Sequence, residues 1–115
     1  MARTRGDSRK RAKELIVYLA LKCDDDPAFG ATKLNKLLFF ADFRAYVRFG
    51  RSITGLAYFA LDHGPAPREL PALRKELVDD GSVTLVERTF HGYRQDRLIA
   101  RRDADLSVFT ADEIA

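Results

Sequence analysis

The sequence has no tryptophan, one cysteine and two histidines, and each shortage excludes a class of protein. The single Cys23 rules out an internal disulfide and argues against a cysteine-rich metal site, which suits a reducing compartment. His63 and His91 stand far apart, without the paired spacing of a zinc-protease helix. The seven glycines are scattered at the ends of elements, so none of them builds a phosphate-cradling loop. No apolar run approaches the ~20 residues that a bilayer-spanning helix requires, and the basic N-terminus lacks the apolar stretch of a signal peptide. These shortages leave no catalytic constellation. The expectation is a cytoplasmic protein with no enzyme activity, no metal, no cofactor and no membrane partner.

What the chain does have is apolar content. At 115 residues, 46% hydrophobic and 32% charged, it is long enough to bury one core and too short for two. The net charge of +3 is unevenly spread: within residues 1–13, Arg3, Arg5, Arg9, Lys10, Arg11 and Lys13 stand against Asp7 alone, so that segment carries +5 and the remainder −2. The basicity therefore belongs to the leading segment. Residues 1–7 read as a flexible basic tail and residues 8–115 as a single domain. The arginines of the tail are either solvated or in contact with nucleic-acid phosphates.

The apolar content is densest over residues 32–49, TKLNKLLFFADFRAYVRF, whose spacing predicts one helix, capped by Thr32 and ended by Gly50 in the left-handed position. Leu34, Leu37, Leu38, Ala41, Ala45 and Phe49 share one side; Phe39, Phe40, Phe43, Tyr46 and Val47 share the opposite one. So many apolar positions predict a helix at the centre of the domain, covered on both flanks, with only a rim left to grip another protein. Two polar seams separate the flanks, Asn35 with Asp42 on one and Lys33, Arg44 and Arg48 on the other. Asp42 is then either a satisfied buried group or part of a recognition site.

Ahead of this stretch, Asp7 or Ser8 caps a helix that reaches Cys23. Its stripe of Ala12, Leu15, Ile16, Leu19 and Ala20 packs on the central helix and puts Cys23 in the core, not at a reactive site. Asp24-Asp25-Asp26-Pro27 ends it as a solvated turn, since the three aspartates lack the spacing of a calcium loop. After Gly50, residues 58–61 read as a strand or extended piece. Asp62-His63-Gly64-Pro65-Ala66-Pro67 reads as a stiff loop with little secondary structure, either a rigid connector or a presented surface. Residues 68–80 carry Leu70, Leu73, Leu77 and Val78 at helical spacing, with Pro71 in the first turn and Gly81 as the stop. Residues 83–90 and 93–99 flank His91-Gly92, a two-residue connection suited to a tight hairpin. Such a hairpin is marginal alone, so it must pack on the helices or gain residues 58–61 as a third strand. Thr110 caps a helix starting at Ala111-Asp112-Glu113, just as the chain ends. The expected fold class is α+β, mostly helical: one small domain with a central buried helix, flanking helices and a C-terminal β-hairpin, in winged-helix-like order.

Lys33-Leu34-Asn35-Lys36-Leu37-Leu38-Phe39-Phe40-Ala41-Asp42, then Gly50-Arg51-Ser52-Ile53-Thr54-Gly55, then Tyr58, Ala60-Leu61 and Gly64-Pro65-Ala66-Pro67 follow one another in a familiar order. The run resembles the Panacea domain of SocA-like antitoxins and their phage-associated relatives, over residues 8–100. Two features depart from that family. His63 stands where the family often has an aromatic residue, and the chain stops near Glu113 where relatives tend to continue into further helix, which leaves a complete antitoxin and a C-terminally shortened domain both open. The resemblance implies a cytoplasmic antitoxin that binds and neutralises a cognate toxin protein, a separate chain encoded nearby. At least one type in the family delivers its toxin to a protease as an adaptor, so a protease or chaperone is implied as a further partner only if this chain acts as an adaptor. No catalytic activity and no metal are implied.

A protein that grips another needs aromatic anchors with arginine close by. Tyr46, Arg51, Tyr58, His63, Pro65 and Pro67 meet that need, with the Asn35, Lys36 and Asp42 seam beside them, and together they are the expected partner-binding residues. The alternative from another class is a winged-helix DNA-binding regulator. Its third helix enters the major groove, and its contacts are Arg3, Arg5, Arg9, Lys10 and Arg11 at the N-terminus with Arg88, Arg94 and Arg97 in the hairpin. Charge weighs against it: residues 68–80 set Arg68, Arg74 and Lys75 against Glu69, Glu76, Asp79 and Asp80, where a groove-reading helix is positive.

Overall fold

The first helix, not the second, is the element on which the rest of the chain packs. The computed structural model describes residues 5–61 and 64–110. Their order is α1 (Arg5–Lys22), α2 (Ala31–Phe49), β1 (Tyr58–Leu61), β2 (Gly64–Pro67), α3 (Leu70–Asp79), β3 (Val83–Phe90), β4 (Tyr93–Ala100) and a 3-10 turn at Leu106–Val108. The fold is α+β and mostly helical. α1 touches α2, α3, β4 and the 3-10 turn. Its stripe of Ala12, Leu15, Ile16 and Ala20 is buried as the spacing predicts, Val17 joins it, and Leu19 and Cys23 are partly buried against it. Small side chains at two positions of that stripe let neighbours close in on several sides. α1 starts at Arg5, ahead of the expected caps Asp7 and Ser8, so Arg5 to Asp7 belong to the helix. Asp7 sits in the first turn, where its charge still favours the helix end.

Two charges of α1 are buried with the stripe. Arg11 donates from Nε to the Ile53 carbonyl at 2.6 Å and from Nη1 to the Val108 carbonyl, and its guanidinium lies 5.4 Å above the Phe109 ring. Glu14 accepts two N–H groups of Arg102 at 2.6 and 2.7 Å and the Asp105 N–H at 2.7 Å. Buried charges persist when such partners replace water. Here those partners strap the loop after α2 and the segment following β4 onto α1.

α2 departs from expectation in two ways. It begins at Ala31 with Gly30 in the capping position and no side-chain cap, while Thr32 lies inside the helix. Phe29, 1% exposed beneath the Arg97 guanidinium, anchors the chain just before this point and brings the helix in early. More important, only one flank is covered. Leu34, Leu38, Asp42 and Ala45 are buried, whereas Phe40, Phe43, Tyr46 and Val47 are 62, 54, 62 and 66% exposed. α1, β4 and the β1–β2 hairpin all contact this helix, and together they close one side. Among the described residues no further element lies on the other. The end of α2 is as expected: Gly50 has φ 79°, open to a residue without Cβ, and its N–H bonds the Tyr46 carbonyl at 2.9 Å.

The Gly64-Pro65-Ala66-Pro67 stretch is a strand, correcting the expectation of a loop. β2 pairs antiparallel with β1 in the register Tyr58↔Pro67, Phe59↔Ala66, Ala60↔Pro65 and Leu61↔Gly64. Backbone donors alternate in direction along a strand, so the prolines at alternate positions put their missing N–H groups on the outer edge. Arg68 continues the inner row, its N–H bonding the Ala57 carbonyl at 2.9 Å. β3 and β4 form a second two-stranded sheet, with Val83↔Ala100 at one end and Phe90↔Tyr93 at the other. His91 and Gly92 turn it with φ of 50° and 80°, the positive pair that matches strand twist. This hairpin is supported by packing on α1 and α3, not by β1. α3 buries Leu70, Leu73 and Leu77, with Pro71 in its first turn. The helix expected from Thr110 onward lies outside the described residues.

Candidate partner-binding surface

The polar centre of α2 is a fastening. Asp42 is buried and accepts the Thr54 N–H at 2.9 Å, the Thr54 hydroxyl at 2.5 Å and the Tyr58 hydroxyl at 2.6 Å. Thr54 in turn accepts the Leu56 N–H at 3.1 Å, and Ser52 accepts that of Gly55 at 2.9 Å. One carboxylate thus ties α2, the 50–57 loop and β1 together. Burial first, then the charge of Asp42 and the bond to it, pushes the Tyr58 hydroxyl far above its ordinary value, so it stays a donor. The spacing of Asp42, the Ser52-Ile53-Thr54-Gly55 run and Tyr58 is what this knot requires.

The knot holds a row of rings in place. Phe39 meets Tyr58 edge-on at 5.6 Å, stacks on Phe43 at 5.7 Å and touches Phe40 at 6.1 Å. Tyr46 and Val47 follow Phe43 one helical turn on. The result is an apolar strip along the open flank of α2, rigid at its base through Tyr58 and Asp42. Sequence reasoning missed Phe40, Phe43 and Val47 as surface residues. The available signal was the excess of large apolar side chains over what one small domain can cover.

Of the expected partner-binding residues, Lys36, Tyr46 and Arg51 are exposed and Pro65 is half-exposed. Asp42 and Pro67 are buried, and Tyr58 is half-buried with its hydroxyl bonded to Asp42. Asn35 is half-buried with its Oδ1 enclosed and unbonded. His63 lies outside the described residues.

The residues of the DNA-binding alternative are mostly committed elsewhere. Arg11 is buried as described, and Arg97 is buried with its guanidinium donating to the carbonyls of Cys23 at 3.3 Å and of Asp24 and Asp26, closing the end of α1. Arg88 donates to the Pro27 carbonyl at 2.6 Å. Arg94 pairs with Glu87 at 2.6 Å and Asp96 at 3.2 Å. Arg9 pairs with Glu76 and Glu69, and Lys10 with Asp105 at 3.8 Å. Arg3 lies outside the described residues, and Arg5 is the first residue of α1. Arg11 and Arg97 are therefore corrected from phosphate contacts to interior fastenings.

A hollow of about 390 Å³ at the start of α2 is lined by Gly30, Thr32, Lys33, His91, Arg94 and Gln95, but Lys33 is paired with Asp26 and Arg94 with its two carboxylates. Burial, with the Asp26 charge, pushes the Cys23 thiol up, which disfavours the reactive thiolate. Among the described residues no group of His, Cys, Asp and Glu is arranged to hold a metal ion, and no helix is long and apolar enough to cross a membrane.

A family model described as antitoxin SocA-like, Panacea domain, matches residues 34–114, which take in α2 from Leu34 onward, both hairpins and α3. Neither a curated protein nor a solved structure matches the chain.

Proposed function

The chain belongs to the SocA-like antitoxin family with a Panacea domain, and we propose that it neutralises a cognate toxin protein in the cytoplasm by binding it, without catalysing a reaction. The observation that carries this reading is the open strip of Phe40, Phe43, Tyr46 and Val47 on α2. Large apolar side chains on a surface cost solvation and invite aggregation, and a contiguous set of them marks an interaction site. Aromatic residues with arginine nearby are the residue types that dominate protein-binding energy. Arg44, Arg48 and Arg51 are exposed on and just beyond the same helix. The strip is preorganised, because Phe39 is locked to Tyr58 and Tyr58 to Asp42, so little conformational freedom is lost on association.

The test is co-expression. The product of the reading frame adjoining the gene is produced in cells with and without this chain. Growth arrest by that product alone, relief of the arrest by the chain and co-purification of the two support the proposal. Arrest that persists despite full expression of the folded chain contradicts it.

A further inference from the structure

We propose that the part of the partner received by the α2 strip is acidic: a protein segment whose apolar side chains are bordered by aspartate and glutamate. This rests on the reading of the chain as a protein-binding antitoxin and adds the chemistry of what it binds.

Charge is unevenly distributed over the surface. Several cations elsewhere on the molecule are paired with carboxylates, Arg9 and Lys13 with Glu76, Lys33 with Asp26, Arg94 with Glu87 and Arg102 with Glu14, while Lys22 and Arg68 lie over the Tyr18 and Phe59 rings. On α2 the only acid is Asp42, which is buried and faces the 50–57 loop. Lys36, Arg44 and Arg48 are exposed among Phe40, Phe43 and Val47, and none of the three forms an ion pair among the described residues. Arg44 and Arg48 stand four residues apart, a spacing at which like charges disfavour the helix. A helix that keeps unmatched cations beside an uncovered apolar strip is complementary to a surface of the opposite sign.

Other occupants fit less well. In a symmetric pair of copies the same patch meets itself, so Lys36, Arg44 and Arg48 would face their own kind. A single-stranded nucleic acid needs rings that stand apart to receive bases, whereas Phe39 already stacks on Phe43 at 17° and closes on Tyr58. α2 is about 28 Å long at 1.5 Å per residue, a length that a partner helix or extended segment can follow from end to end.

The test measures binding of the full chain to four probes by fluorescence anisotropy. They are a synthetic amphipathic helix with Leu and Phe on one face bordered by Glu, its twin with every Glu replaced by Lys, a single-stranded oligonucleotide, and phosphatidylcholine vesicles containing phosphatidylserine. The expected result is preference for the acidic helix over its twin by about tenfold or more, weakening with salt. The triple variant Lys36→Glu, Arg44→Glu, Arg48→Glu reverses that preference, and Phe43→Ser weakens binding of the acidic helix. Equal binding of the two helices, tighter binding of the oligonucleotide or the vesicles, or no binding of the acidic helix overturns the proposal. All substituted positions are exposed, and circular dichroism checks that the variants fold. Growth protection separates this inference from the antitoxin reading. If wild-type chain and charge-reversed variant both protect fully, the antitoxin reading stands and the acidic partner is refuted; if the wild type fails to protect, the reading itself falls.

Discussion

The two flanks of α2 are made from the same nineteen residues and meet opposite fates. The closed flank buries Leu34, Leu38 and Ala45 around Asp42, while the open one carries Phe40, Phe43, Tyr46 and Val47, bulkier and more aromatic, in solvent. Each of those large side chains forgoes stabilisation on the order of 2 kcal/mol that burial would give. The comparison teaches that apolar content measures what a helix can cover, not what its own domain covers. The closed flank is stabilised by polar fastening as well as by packing, and through Tyr58 the same fastening fixes Phe39 at the base of the open flank.

The largest expected effect comes from breaking the closed flank. Asp42→Ala leaves the Thr54 N–H, the Thr54 hydroxyl and the Tyr58 hydroxyl without their acceptor, and should destabilise the fold by about 3–5 kcal/mol in urea unfolding. A loss under about 1 kcal/mol would mean that the knot is not what closes this side. On the open flank the effect should move from stability to binding. Phe43→Ser is expected to change unfolding free energy by no more than about 0.5 kcal/mol while weakening the co-purified toxin complex by about 2 kcal/mol or more in calorimetry.

A smaller effect sharpens the contrast by acting away from α2. Burial pushes the Glu14 carboxyl up, but the Arg102 guanidinium and the Asp105 N–H outweigh it and hold the group below its ordinary value of 4.5. A folded-state value below the unfolded one means stability that is present above the ordinary value and lost as pH falls through the folded one. Urea midpoints should therefore decline on acidification below about pH 4.5, and Glu14→Gln should flatten that decline without altering toxin binding near neutrality. The smallest effect is expected from Arg94→Ala in the β3–β4 hairpin. Its ion pairs are exposed, so stability should shift by less than about 0.5 kcal/mol. DNA mobility shifts across a salt series should be the same with and without it, and a sequence-selective shift abolished by this substitution would instead favour the winged-helix regulator.

Much of the fold is legible in the sequence where one local rule decides. Gly50 ends α2, Pro71 and Gly81 bracket α3, and His91-Gly92 sets the β3–β4 register, all because backbone geometry admits few residues there. What is not legible depends on distant partners. Arg11, Glu14 and Arg97 read as surface charges, and only the fold brings Ile53, Val108, Arg102 and the carbonyls after α1 to them. β2 reads as a loop because its two prolines mask a strand whose outer edge needs no donors. The position of Asp42 on a polar seam left a satisfied buried group and a recognition residue both open, and its acceptor role toward Thr54 and Tyr58 required the loop to be in place. The candidate site was half legible. Tyr46, Arg51 and Lys36 were recognisable as surface candidates, but Phe40, Phe43 and Val47 were placed on a flank expected to be covered, and they are exposed.

Hydroxyl-radical footprinting of the chain alone and in complex with the proposed toxin partner decides whether the open flank of α2 is the binding surface, because phenylalanine and tyrosine side chains report their own exposure. The account predicts that Phe40, Phe43 and Tyr46 oxidise readily in the isolated chain and are protected in the complex, while the β3–β4 hairpin is unchanged. Unaltered oxidation of those three residues in the complex, with protection appearing on the hairpin instead, would contradict it.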